Sequence, residues 1–138
     1  MISQSSFRVT LQIHHPSLSA DEIVDNFSYP IRYKHSVGMS RKTKTGQDLG
    51  GIYLETAISF KLHDEPIATF EYISKFLLDF LENFDKDFLG KIISTGGKCS
   101  FLFGIYSNNN VFLELSPVVI NYLSSLGFGI KLDFYGGE

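Results

Sequence analysis

Residues 7–14 alternate without interruption. Phe7, Val9, Leu11 and Ile13 fall on one side, and Arg8, Thr10, Gln12 and His14 on the other. Period 2 with one polar face is the signature of a half-buried strand. Residues 52–62 repeat the pattern: Ile52, Leu54, Thr56, Ile58, Phe60 and Leu62 share a side, opposite Tyr53, Glu55, Ala57, Ser59 and Lys61. Strands of this kind cannot be buried on both faces. They call for a mainly antiparallel sheet whose single apolar face is covered by helices.

The helices are marked by caps. Ser19-Ala20-Asp21-Glu22 has the capping-box spacing, with Leu18 and Ile23 placed to staple it, and predicts a short helix ending near Phe27. Asp64-Glu65-Pro66 opens a second, with acids at the positive end of the dipole and proline in the first turn. Ile67, Phe70, Ile73, Phe76, Leu77, Phe80, Leu81 and Phe84 follow at spacings of three and four, the stripe of a long amphipathic helix. Phe88, Leu89, Ile92 and Ile93 predict a short helix after it, ended by Gly96-Gly97. Ser116-Pro117 starts the last helix, and Gly127 stops it.

The remaining segments read as strands or loops. Residues 31–35 predict a short strand. Residues 36–51 are polar and contain Gly38, Gly46, Gly50 and Gly51, so they read as a mobile loop or at most a loose hairpin. Cys99, Phe101, Phe103 and Ile105 mark one face of a strand. The turn Ser107-Asn108-Asn109-Asn110 and the alternating run 111–115 then suggest a hairpin. Phe128, Ile130, Leu132 and Phe134 form the last strand. The expectation is a single α+β domain over residues 1–138, in the order β-α-β-β-α-β-β-α-β, with helices packed on one face of the sheet.

The carboxy-terminal residues carry a resemblance. Phe103-Gly104-Ile105-Tyr106-Ser107-Asn108, the run from Val111 to Pro117, Leu123-Ser124-Ser125-Leu126-Gly127 and Ile130-Lys131-Leu132-Asp133-Phe134-Tyr135 resemble an uncharacterised bacterial family catalogued as domain of unknown function 4279. The opening strand, the helix at Leu18-Ser19-Ala20-Asp21-Glu22-Ile23 and the strand ending in Ser59-Phe60-Lys61-Leu62 are compatible with it. The chain departs from the pattern at Gly38-Met39, where the family has an acidic residue after the glycine, and in lacking tryptophan. The resemblance implies the fold and a bacterial origin, and brings no catalytic residues.

The chemistry that the residues exclude is as informative. One cysteine, Cys99, permits no internal disulfide. With no signal-peptide pattern and no apolar run long enough to span a bilayer, the expectation is a cytoplasmic chain without a membrane partner. Cys99 shares parity with Phe101 and Phe103 and reads as a buried, inert thiol. His14 and His15, adjacent on a strand, point to opposite faces and so make a poor metal pair; they read as exposed strand-end histidines. Gly96-Gly97-Lys98 has neither the spacing nor the strand-to-helix context of a phosphate loop. No cofactor and no catalytic or metal-binding set is expected, and the chain does not read as an enzyme. A remaining enzymatic reading centres on His14, His35 and the basic loop.

Charge is distributed unevenly. The net charge is −3. Arg32, Lys34, Arg41, Lys42 and Lys44 form a basic stretch without an acid, whereas Asp64, Glu65, Glu71, Asp79, Glu82, Asp85 and Asp87 outnumber Lys75 and Lys86 in the next stretch. The overall charge and the lack of aromatics among the basic residues argue against nucleic acid. Three readings follow. In the first, the acidic surface docks a basic protein, as an immunity protein masks a toxin, or the basic loop docks an acidic one. In the second, the polar sheet face (Arg8, Thr10, Gln12, Ser59, Lys61, Ser100), with the basic loop, binds a small ligand. In the third, exposed strand edges pair to form a homo-oligomer. The 13 Phe residues fall mostly on inward positions and read as core rather than as a stacking platform.

Overall fold

The strand with the cleanest alternation lies at the centre of the sheet. In a computed structural model describing residues 6–62 and 70–136, β1 (Ser6–His15) pairs antiparallel on one side with β5 (Thr56–Lys61) and on the other with β6 (Lys98–Tyr106). β2 (Ile31–His35) flanks β5 and β7 (Phe128–Tyr135) flanks β6, giving the order β2-β5-β1-β6-β7. β3 (Ser40–Lys42) and β4 (Asp48–Ile52) form a separate two-stranded sheet. The helices are α1 (Ala20–Val24), α2 (Phe70–Asn83), α3 (Lys86–Ser94) and α4 (Pro117–Leu126). The α+β class and the mainly antiparallel sheet are as the alternation predicts.

The apolar face of each strand is buried beneath the helices. Phe7, Val9, Leu11 and Ile13 of β1, Ile58 and Phe60 of β5, and Phe101 and Phe103 of β6 are all buried. α1 lies on β5, α2 on β1, α3 on β6 and α4 on β7. Ile73, Leu77, Phe80 and Leu81 supply the buried stripe of α2. Its expected start, Asp64-Glu65-Pro66, lies outside the described residues.

The caps form as their spacing requires. Ser19 Oγ accepts from the Glu22 amide at 3.2 Å, and the Ser19 amide donates to the Glu22 carboxylate at 3.0 Å. Ser116 Oγ accepts from the Val119 amide at 3.3 Å, with Pro117 in the first turn. Asp85 caps α3 through the Phe88 amide at 3.1 Å. α1 is shorter than expected, ending at Val24. Phe27 and Tyr29 beyond it still pack partly against the core.

Three expectations need correction. Residues 111–115 are not a strand, and β6 has no hairpin partner after it. Both edges of β6 are already taken, by β1 and by β7. Val111, Leu113 and Leu115 alternate because they lean on the core, not because their backbone is paired. β7 instead runs parallel to β6, joined to it through α4, since a parallel neighbour requires a crossover. Second, the alternating run 52–62 is divided: β4 ends at Ile52 and β5 begins at Thr56, leaving Ile52 and Leu54 exposed. Third, Phe134, placed inward by parity, is largely exposed.

The segment 36–51 contains an arm. The Gly38 amide donates to the Tyr53 carbonyl and the Tyr53 amide to the Met39 carbonyl, both at 2.9 Å, so β3 and β4 continue outward from the β2–β5 pair. The tip turns at Gly46, whose φ of +87° is one that side chains rarely adopt.

Candidate functional site

The acidic residues divide between a groove and a solvated surface. Asp79 and Glu82 sit on exposed positions of α2, Asp85 is the cap of α3, and Asp87 lies in its first turn. Glu71 belongs to α2, and Asp64 and Glu65 lie outside the described residues. Asp79 and Asp85 line a groove of about 460 Å³ between the second half of α2 and the link from α1 to β2. Its walls are Phe27, Tyr29, Phe76, Phe80 and Phe84, with Asn26 and Asn83 beside them.

Ring contacts hold these walls in place. Phe80 and Phe84 stack with centroids 5.1 Å apart, and Tyr29 meets Phe80 at 5.6 Å. Phe27 is wedged against Phe60 at 5.0 Å and Phe88 at 5.9 Å. Burial pushes the Tyr29 phenol upward, so it stays neutral. The nearest lysine in sequence, Lys86, is committed elsewhere, its ammonium 5.5 Å from the centre of the Tyr122 ring. A groove with aromatic faces and carboxylates at its rim suits a cationic side chain, which gains from both the ring quadrupoles and the charges.

The acids were legible in the sequence, but the groove was not. Phe76, Phe80 and Phe84 recur every four residues and read as core. Asp79 and Asn83 border that stripe, a juxtaposition that could have marked an amphipathic rim. Phe27 and Tyr29 arrive from a distant link, and no local pattern announces them.

The basic residues do not form one patch. Lys34 bonds Asp21 of α1 at 3.2 Å and belongs to the edge of the sheet. Arg32 is exposed on β2. Arg41 and Lys42 lie on β3 and Lys44 in the turn, all exposed on the arm. The arm also exposes Met39, Leu49 and Ile52.

The three described histidines have three roles; His63 lies outside the described residues. His14 Nδ1 meets Glu55 Oε1 at 3.1 Å on the outer face of the sheet. At the root of the arm, the His35 ring stacks on Tyr53 at 3.6 Å and bonds the Tyr33 hydroxyl. Burial lowers the His35 imidazole, and burial together with Tyr53 pushes Tyr33 up to about 12. His15 is not the exposed strand-end residue expected: it is 1% exposed and fully bonded. Burial pushes the Cys99 thiol up to about 12, leaving it protonated and a poor nucleophile at neutral pH. Among the described residues no three His, Cys, Asp or Glu side chains converge to hold a metal ion.

The polar sheet face is occupied by its own side chains. Lys131 Nζ donates to Gln12 Oε1 at 2.8 Å, and the Arg8 guanidinium lies 5.8 Å from the centre of the Tyr106 ring. Thr10 and Ser100 are buried among these neighbours, while Lys61 is exposed and Ser59 half-buried. No helix among the described residues is long and apolar enough to cross a membrane.

No family model, no curated protein and no solved structure matches the chain.

Proposed function

We propose that this chain is a non-catalytic protein-binding module that covers a basic segment of its partner, in the manner of an immunity protein masking a toxin. The observation that carries the reading is the groove at the end of α2, where Asp79 and Asp85 rim five aromatic side chains. An arginine or lysine of the partner would lie between the rings with its charge at the rim, and Glu82 and Asp87 would steer its approach. The aromatic walls distinguish this surface from a merely solvated helix face, because they offer area that excludes water. A cytoplasmic setting suits the reading, since the one thiol is buried and unpaired. Membership of the bacterial family catalogued as domain of unknown function 4279 is part of the same proposal. The residues that bear the resemblance form β6, the link beyond it, α4 and β7.

The test is paired capture from the host. Wild-type chain should retain a basic protein that Asp79→Lys loses, with Asp85→Asn weakening retention while preserving the cap. A neighbouring gene encoding a toxin-like protein would identify the partner. Retention unchanged by both substitutions rejects the groove as the contact.

A further inference from the structure

β7 is an outer strand of the five-stranded sheet, and among the described residues no strand lies beyond it. Soluble proteins blunt such edges with bulges, prolines or short strands, because an open ladder invites pairing. β7 has none of these three; of the charged side chains that also protect edges it carries Lys131 and Asp133. Its register with β6 runs unbroken from Phe128 to Tyr135, and it contains no proline. On its helix-side face Leu132 is 48% exposed and Phe134 62%. An apolar strip therefore runs along an edge ready to pair.

We propose that a second copy of this chain covers the strip, with β7 antiparallel to β7 about a two-fold axis at Leu132. A two-fold axis perpendicular to the sheet keeps both helix layers on one side, so it must pass through a residue and not between residues. Two registers overlap the strand most fully. An axis at Lys131 sets that lysine against its own copy. An axis at Leu132 sets Lys131 opposite the second copy's Asp133, and Asp133 opposite its Lys131. It also sets Ile130 against Phe134 twice and Leu132 against itself. Opposite charges across a strand pair stabilise and like charges destabilise, so the charges select the axis at Leu132. The apolar residues then meet on the helix side, and the pair forms one continuous sheet. Within one chain Lys131 bonds the Gln12 amide and Asp133 accepts from the Tyr135 hydroxyl at 2.5 Å, both neutral partners, so no existing charge pair is lost.

Sedimentation equilibrium on the full chain tests this. Wild type should be a dimer. Lys131→Asp and Asp133→Lys, each alone, should weaken the dimer by at least about tenfold, since each places like charges opposite one another twice. An equal mixture of the two variants should form a heterodimer. The first variant carries carboxylates at both positions and the second carries ammonium groups at both, so every cross-strand charge pair between them is of opposite sign. Heterodimer formation also shows that both variants are folded. A monomeric wild type, single variants that dimerise as wild type does, or a mixture that stays monomeric would each overturn the proposal.

Discussion

His15 donates its Nε2–H to the Thr95 hydroxyl across 2.7 Å, tying the last residue of β1 to the carboxy-terminal cap of α3. The tautomer is set by the other nitrogen. Nδ1 accepts from the amides of Ser17 and Leu18 at 3.0 and 2.9 Å, so the proton resides on Nε2. Thr95 Oγ1 in turn donates to the Lys91 carbonyl at 2.7 Å. The turn after β1 is therefore fastened to the helix layer through one buried ring.

This ring makes stability depend on pH. Burial lowers the His15 imidazole below its ordinary 6.5, so the folded chain holds it neutral while the unfolded chain takes up a proton. The unfolded state binds more protons, and stability rises with pH across that window. The contribution is complete above about 6.5 and is lost as pH falls toward the folded value. Urea midpoints should decline as pH falls below about 6.5, with His35 contributing in the same sense. His15→Ala should cost about 2 kcal/mol at neutral pH and flatten the profile. An unchanged slope in that variant would remove His15 as its source.

Gly97 is required beside this ring. A Cβ there would lie 2.5 Å from Ile92 Cγ2, 2.6 Å from the Ile92 carbonyl oxygen and 2.9 Å from His15 Cδ2. The Gly97 amide also donates to that carbonyl at 2.8 Å, so the backbone cannot withdraw without losing the bond. Gly97→Ala should destabilise the chain by about 2 kcal/mol, read by thermal unfolding. An unaltered melting temperature would contradict the close approach.

Thr56 joins three segments from a fully buried position. Its hydroxyl donates to the Leu18 carbonyl at 2.5 Å and accepts from the Val37 amide at 2.9 Å. Thr56→Val keeps the shape and removes the oxygen, leaving the half-buried Val37 amide and Leu18 carbonyl without this partner. A loss of about 2 kcal/mol should appear in chemical denaturation. Amide exchange at Val37 should accelerate more than at β6, because the damage falls at the root of the arm.

The cap of α3 separates stability from binding at the groove. Asp85→Ala removes the acceptor for the Phe88 amide and should cost about 1 kcal/mol, whereas Asp85→Asn should cost much less. Comparable losses in the two variants, measured by urea unfolding, would show that the charge rather than the cap carries the stabilisation.

What the residues disclose ahead of the fold follows from what periodicity measures. Alternation at residues 7–14 and the α2 stripe from Ile73 onward report which side of an element is buried, and both hold; Ile67 lies outside the described residues. The run 111–115 alternates for the same reason, yet its backbone is unpaired because β6 had no free edge. Ile52 and Leu54 fit the pattern of β5, but they lie beyond the helix layer and stay exposed. His15 looked like its neighbour His14 because a strand end carries no signal for the helix that will close over it. The groove depends on Phe27 and Tyr29 meeting α2 across the fold, a proximity that belongs to topology rather than to local spacing.

Binding at the groove can be observed directly. An arginine-rich peptide titrated into isotopically labelled chain should shift the amide signals of Tyr29, Phe80 and Asp85 at moderate salt. Asp79→Lys should abolish these shifts without altering the remaining spectrum, and the same peptide with glutamate in place of arginine should leave wild type unchanged. Shifts confined to the arm or the outer sheet face, or a response that Asp79→Lys leaves intact, would contradict a cation-binding groove.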